Sequence, residues 1–254
     1  MQDAWILLSN SIYNCPDANT QQGTHESVFC ARPTEHPYQV SSWSEMKDYY
    51  DPNDVIRAAA MMVSVADEFK GNNNFEYDWS ISSARRSPRK DVLRRRLLSR
   101  FCRWRQKLYK DASDRFLRLI LLQDELLATR PEFKVGTWIA RARSLGGTPE
   151  EKELYEWNAR VQITTWGNRL AADEGGLRDY AHREWNGILK DFYYMRWKTW
   201  FDYQTRLLDG RKTAAIDFYA IEERWTKATN VYSSEPEGDC ISTVKRIFVE
   251  IFGK

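Results

Sequence analysis

A succession of amphipathic helical segments with clear start and stop signals most constrains what this chain can fold into. In DPNDVIRAAAMMVSVADEFKG, Pro52 stands near a first helical turn and Gly71 lies just past the end. TPEEKELYEWNARVQITTW opens with Thr148, Pro149 and Glu151, the spacing of a capping box. Nowhere in the chain do apolar and polar residues alternate over the length of a typical strand. The sequence therefore predicts an all-α, multi-helix fold.

Two further segments are also predicted to form helices. SDRFLRLILLQDELLATRP predicts a helix with Ser113 as its N-cap and Pro131 as its stop. The stretch over 176–210 is interpreted as two helices with a break near Phe192 to Tyr194. Residues 14–51 show no clear periodicity, which predicts one long irregular N-terminal loop, and such loops often carry function.

The charge distribution suggests a second class of function. Between Arg85 and Lys110 there are twelve basic residues and one acid, Asp91. Such a run is typical of a nucleic-acid or acidic-surface binder. The rest of the chain is acidic, however, whereas an evolved nucleic-acid face usually spreads its basic residues over several elements. A stand-alone carbohydrate-binding module using exposed aromatic residues is a third class, since the chain has 11 Trp and 13 Tyr.

Metal, redox and dinucleotide chemistry have no motif in this sequence, and we expect no cofactor and no metal site. The four cysteines are scattered, so they are interpreted as ordinary thiols. His182, on a predicted helix, is interpreted as a surface or capping residue. Glu222 and Glu223 are interpreted as solvated or helix-dipole residues. No apolar run is long enough to span a bilayer.

Several segments in this order and spacing resemble one family. They are AWILLSNSIYNC, FCARP, DRFLRLILLQDELLATRPEF, YEWNARVQITTWG, LRDYAHREWNGILKDFYYMRWKTWF and GDCISTVKRIF. Together they are similar to the C-terminal helical domain of the alpha-N-acetylglucosaminidases, glycoside hydrolase family 89. The resemblance covers nearly all of residues 1–254, which we interpret as one such domain.

The resemblance implies a retaining exo-glycosidase that removes terminal alpha-linked N-acetylglucosamine from glycans. In the family both catalytic glutamates lie on a preceding (β/α)₈ barrel, so this chain has no catalytic residue of its own and is expected to be inert alone. The expected partners are that barrel and the terminal sugar, with no nucleic acid and no membrane span. The parent enzyme is expected to follow a secretory route, to the periplasm, cell surface or lysosome.

Three residues are candidates for contact with the sugar once the barrel is in place. Trp43, in the irregular loop, can stack on a pyranose face, with interface packing as its alternative role. Arg32 and Trp5 are weaker candidates, placed by the loop and the first helix. Trp166 and Arg196 are interpreted as structural, a core ring and a brace for a neighbouring helix.

The resemblance also suggests an origin for the basic block. In the family the segment after F-x-Y-D continues as L-V-D-[IL]-x-R-Q-A-L-A, whereas here FEYD is followed by WSISSARRSPRKDV. Reading the coding DNA one base earlier, with permitted codons, yields LVDIQRQALAEKGR. We hypothesise a compensated frameshift from Trp79 to the neighbourhood of Lys107.

Overall fold

The computed structural model describes residues 1–14, 28–34, 39–41, 44–45, 49–85 and 103–253, and it is predominantly helical. Strand β1, Gln39–Ser41, pairs in antiparallel fashion with β2, Ser44–Glu45. Short 3₁₀ turns span Val28–Cys30, Ala66–Phe69 and Pro131–Phe133, and π-helical turns span Leu170–Glu174 and Leu189–Tyr193. Nine α-helices lie within these described ranges: α1 Gln2–Asn10, α2 Pro52–Ser64, α3 Asn73–Arg85, α4 Arg103–Ala128, α5 Val135–Ser144, α6 Pro149–Gln162, α7 Tyr194–Leu208, α8 Phe218–Thr226 and α9 Cys240–Phe252. The all-α prediction is confirmed.

The predicted start of α6 is confirmed down to its hydrogen bonds. The Thr148 hydroxyl accepts from the Glu151 amide at 3.2 Å, and the Glu151 carboxylate accepts from the Thr148 amide at 3.2 Å. At the start of α2 the Asp51 carboxylate accepts from the Asn53 amide, with Pro52 as the first helical residue. Both helices therefore begin where side chains satisfy amides that have no partner inside the helix.

Helix α4 lies at the centre of the core. Phe116, with no solvent exposure, meets Phe29 edge-on at 5.1 Å between ring centres and Trp197 of α7 at 4.5 Å. Phe201, one helical turn further along α7, contacts the same ring at 5.6 Å. This aromatic cluster joins the 3₁₀ turn Val28–Cys30 to the two longest described helices, and so fixes the segment that holds Arg32.

Two helix predictions are wrong. Ser113 is not an N-cap, because α4 already runs from Arg103 and the Ser113 hydroxyl donates to the Tyr109 carbonyl within it. Residues 177–186 form turns rather than a helix, and Leu189–Tyr193 continues into α7 without a break. The helical segment Leu189–Tyr193 starts only after these turns because the carboxylate of Asp124, in α4, accepts from the amides of Gly187 and Lys190. A partner more than sixty residues away thus sets this boundary.

Parts of the predicted loop and basic block lie outside the described residues. Within the predicted irregular loop the structure describes a 3₁₀ turn and the pair of strands among other residues, while Trp43 falls outside. Residues 86–102 of the basic block also fall outside, so the frameshift hypothesis stays a prediction. None of the helices in the described portion of the chain is long and apolar enough to cross a bilayer.

Candidate functional site

A buried ion network forms where α7, α8, the turns of residues 177–186 and the segment 28–34 meet. At its centre is Arg196 of α7, whose side chain has no solvent exposure. Its Nη1 donates to both carboxylate oxygens of Asp179, at 3.1 and 2.8 Å, and to Glu222 Oε1 at 2.9 Å. A single guanidinium thus joins a turn to helix α8.

Arg32 forms the outer part of the same network. Its Nε donates to Glu222 Oε1 at 2.9 Å and its Nη1 donates to Asp173 Oδ1 at 2.6 Å. The guanidinium carbon lies 5.7 Å from the centre of the Phe218 ring. The Arg32 side chain is 14% exposed, so one edge still reaches the surface. Most of its donors are nevertheless committed to carboxylates.

Burial and charge act in opposite directions on the groups of this network. Burial raises the pKa of Asp179 above its ordinary value, although the Arg196 guanidinium opposes the shift. For Arg196, burial alone would lower the pKa, but the carboxylates of Asp179 and Glu222 outweigh it and the pKa is raised. Arg196 therefore stays protonated, and removing it would leave Asp179 buried without its ion-pair partner and Glu222 paired with Arg32 alone.

The backbone of the turn is held in an uncommon conformation around the network. Asp179 has φ 58° and His182 has φ 44°, both in the left-handed region. The Asp179 amide donates to the Thr164 carbonyl at 2.8 Å, and the His182 amide donates to the Asp179 carbonyl at 3.0 Å. These bonds hold Asp179 against Arg196, at a cost of about 1–2 kcal/mol for each left-handed residue.

Adjacent residues of α7 also anchor the segment 28–30. Arg196 Nη2 donates to the Cys30 carbonyl, and Trp197 Nε1 donates to the Phe29 carbonyl at 3.0 Å. The buried Cys30 thiol has a pKa well above its ordinary value because of burial, and it is a free thiol. Cys240 is likewise free and buried, so the thiol interpretation is confirmed for these two. Cys15 and Cys102 lie outside the described residues.

The predicted site residues are not all brought together. Arg32 lies in the ion network, whereas Trp5 is half-buried on α1 and packs against the core. The interpretation of Arg196 as a brace is confirmed. Trp166 is not a core ring, since it is 41% exposed and has φ 61°. His182 lies in a turn rather than on a helix.

Sequence reasoning missed the acidic half of the network. Glu222 is fully buried rather than solvated, because it shares one face of α8 with Tyr219, Trp225 and Thr226. That spacing of three and four residues would have placed Glu222 inward. Asp179 gave no comparable signal, since its turn depends on contacts with Thr164 and Arg196.

The geometry of the network is that of a brace. A retaining glycosidase needs one carboxylic acid and one carboxylate about 5 Å apart, both facing the sugar. Asp179 and Glu222 are instead buried and bound to the same guanidinium. Among the residues that the structure describes, no group of three or more His, Cys, Asp or Glu is arranged to hold a metal ion.

Known proteins resemble the chain over nearly its whole length. Residues 1–250 match the family model described as the alpha-N-acetylglucosaminidase (NAGLU) C-terminal domain. The alpha-N-acetylglucosaminidase of Homo sapiens is 26% identical over 98% of this chain and 33% of that protein.

Solved structures give the same result. A family 89 glycoside hydrolase from Clostridium perfringens, in complex with its substrate GlcNAc-alpha-1,4-galactose, superposes with a TM-score of 0.91 and 32% identity. The same organism's family 89 enzyme in complex with 2-acetamido-1,2-dideoxynojirmycin gives a TM-score of 0.89 and 31% identity. Each match covers 98% of this chain and 29% of the other. The chain therefore spans about a third or less of the length of these relatives.

Proposed function

The chain belongs to the C-terminal domain family of the alpha-N-acetylglucosaminidases of glycoside hydrolase family 89, and from that premise we propose that it is the accessory helical domain of a larger glycosidase. In this proposal residues 1–254 pack against a catalytic (β/α)₈ barrel and form part of the wall of the pocket for one terminal sugar. The reaction is the retaining removal of terminal alpha-linked N-acetylglucosamine from glycans. The chain alone does not hydrolyse its substrate.

The match of the whole chain to one part of larger enzymes carries this proposal. It covers 98% of this chain but only 29% of the Clostridium perfringens enzyme, which was solved with GlcNAc-alpha-1,4-galactose as its substrate. The internal charges agree with an accessory role, since Asp179 and Glu222 are committed to Arg196. Carboxylates held in this way are poor proton donors and nucleophiles.

In such a domain the ion network would hold residues 29–32 in place. Arg196 and Trp197 bind the carbonyls of residues 29 and 30, and Arg32 binds Glu222. Residues 29–32, within the predicted irregular loop, are therefore held against α7 and α8. We assign Trp43, further along that loop, to stack on the sugar, with Arg32 and Trp5 as secondary contacts.

The proposed partners follow from the same assignment. They are the catalytic barrel of the parent enzyme and the terminal N-acetylglucosamine of a glycan, without a cofactor and without nucleic acid. The parent enzyme is placed on a secretory route, in keeping with an extracellular or lysosomal glycan as substrate.

A chimeric enzyme tests the proposal. This chain replaces the matching part of the Clostridium perfringens enzyme, and kcat/KM is measured on GlcNAc-alpha-1,4-galactose. We expect hydrolysis by the chimera, none by this chain alone, and a reduced kcat/KM for the chimera carrying Trp43→Ala. Trp157→Ala, on the exposed face of α6, is the matched control and should leave kcat/KM unchanged. Hydrolysis by the chain alone, or a folded chimera without activity, would overturn the proposal.

A further inference from the structure

We propose that the pair Asn186 and Gly187 is a latent deamidation site, which Asp124 of α4 protects as long as the domain is folded. An asparagine followed by glycine is the asparagine pair that cyclises most readily, because glycine has no Cβ to obstruct attack by its nitrogen. This pair is the only Asn-Gly in the sequence. It lies where the turns of residues 177–186 lead into the helical segment Leu189–Tyr193.

Deamidation at this pair would pass through a cyclic imide and would need only water. The Gly187 nitrogen attacks Asn186 Cγ, a new C–N bond forms, and the bond from Cγ to Nδ2 breaks. Ammonia leaves with the proton that the Gly187 nitrogen gives up, and water then opens the imide to aspartate or isoaspartate. The reaction therefore needs a Gly187 N–H that a base can reach and an Asn186 carboxamide that is free to turn.

Asp124 binds both reacting groups at once. Its Oδ1 accepts from the Gly187 amide at 2.7 Å, and its Oδ2 accepts from Asn186 Nδ2 at 2.8 Å. Asn186 Nδ2 also lies 3.3 Å from the Asp124 carbonyl, to which it donates. Because negative charge developing on the buried Gly187 nitrogen would lie beside a carboxylate, loss of its proton is opposed. The same contacts keep the carboxamide from turning towards that nitrogen.

The backbone around the pair is also fixed. The Asn186 amide donates to the Phe133 carbonyl at 2.7 Å, and the Asn186 carbonyl accepts from the Val135 amide at 3.1 Å. Gly187 has φ 92°, and a Cβ there would lie 2.7 Å from the Val135 side chain and 2.8 Å from the Tyr232 ring. The packing thus requires glycine at this position, which retains a reactive pair. Cyclisation would rotate the peptide group between the two residues and break its hydrogen bonds.

The product of the reaction would not suit the same partners. Aspartate or isoaspartate at position 186 would bring a second carboxylate against Asp124, which is buried. Burial already raises the pKa of Asp124 above its ordinary value, and a second negative charge adds repulsion. Deamidation would therefore separate position 186 from Asp124 and release the turns of residues 177–186, which carry Asp179 of the ion network.

Mass spectrometry of the aged full chain tests the assignment. The chain is incubated in one mildly alkaline buffer, either folded or unfolded in guanidinium chloride. The tryptic peptide of residues 184–190 is then resolved into its asparagine, aspartate and isoaspartate forms. We expect the folded chain to react at least about tenfold more slowly, since the reaction needs local opening.

Two variants separate protection by Asp124 from general stability. Asp124→Asn keeps the shape but loses the charge and one acceptor oxygen, so the folded chain should react about tenfold faster. Ile241→Ala opens a cavity in the buried face of α9 and is the control for a general loss of stability. At a temperature where both variants stay folded, Asp124→Asn should react faster than Ile241→Ala.

The assignment fails if folded and unfolded chains react equally fast, or if Asp124→Asn reacts no faster than Ile241→Ala. Asp124→Ser decides by the same criterion if Asp124→Asn does not fold. Asn186→Asp, which mimics the product, should unfold at a lower denaturant concentration than Asn186→Ala. An equal or higher midpoint would show that the product does not disturb the turns of residues 177–186. None of these measurements involves the barrel or a sugar, so the chimera tests the proposed function separately.

Discussion

The start of α6 and the turn around Asp179 are both fixed by side chains bound to charged or polar partners, but over very different distances along the chain. At α6 the partners Thr148 and Glu151 are three residues apart. At the turn, Arg196 reaches Asp179 across 17 residues, and Arg32 reaches Glu222 across 190. The first device is encoded in a short motif, whereas the second exists only once the helices have packed.

The largest effect should come from removing the centre of the ion network. Arg196→Met leaves Asp179 and Glu222 buried without their shared cation, so we expect a loss of about 3–5 kcal/mol in the free energy of unfolding. Denaturant unfolding measures it. Arg118→Met removes an exposed pair with Glu250 and should cost no more than about 1 kcal/mol. Equal losses in the two variants would show that the buried network stabilises no more than a surface pair.

The strained backbone of the turn should show in a comparison of two variants at His182. With φ at 44°, alanine keeps the left-handed strain whereas glycine relieves it. We expect His182→Gly to be more stable than His182→Ala by about 1 kcal/mol in the free energy of unfolding. At an ordinary helical position such as Glu153 in α6 the order should reverse. Finding alanine the better residue at both positions would contradict the strain.

Loss of the local cap at α6 should have a smaller but well-defined effect. Thr148→Ala removes the hydroxyl that accepts from the Glu151 amide, and we expect a loss of about 1 kcal/mol in the free energy of unfolding. Thr148→Ser keeps that acceptor and should stay close to the wild type. If serine fails as alanine does, the capping bond is not what stabilises this helix start.

The smallest effect is expected at the exposed pair of Arg169 and Asp217. The two hydrogen bonds from Arg169, aided by the Ala220 amide, lower the pKa of Asp217 from 3.8 to about 2. Its stabilising contribution is therefore present above about pH 3.8 and is lost as the pH falls towards 2. Carboxyl NMR titration should show the pKa of Asp217 rising in Arg169→Gln. If the pKa of Asp217 did not change in this variant, the hydrogen bond from the Ala220 amide alone would account for its lowering.

The basic block requires a separate measurement. Peptide mass mapping of the natively produced protein across residues 75–115 should yield peptides matching LVDIQRQALAEK if the frame is shifted. Buried Trp79, at the start of the divergent stretch, has an indole N–H without a hydrogen-bond partner in the described structure. A leucine there would remove that unsatisfied donor, in keeping with the hypothesis. Peptides matching the written block would refute it.

Several features of the fold and the site were accessible from the sequence because their causes are local or repeated. The helical periodicity and the cap of α6 predicted the all-α fold, and the family segments indicated the enzyme family. Arg196 was correctly interpreted as a brace. Glu222 was misjudged, although its spacing from Tyr219 and Trp225 on α8 carried the necessary signal.

The remaining features were decided by the tertiary structure. Asp124 of α4 accepts from the amides of Gly187 and Lys190, and so sets where the helical segment that continues into α7 begins. Trp166, predicted to be a core ring, is exposed and has a left-handed backbone with φ 61°. A sequence thus determines the structures whose hydrogen-bond partners are near neighbours. Buried ion pairs and strained turns depend on partners that meet only after the helices have packed, so the tertiary structure alone decides them.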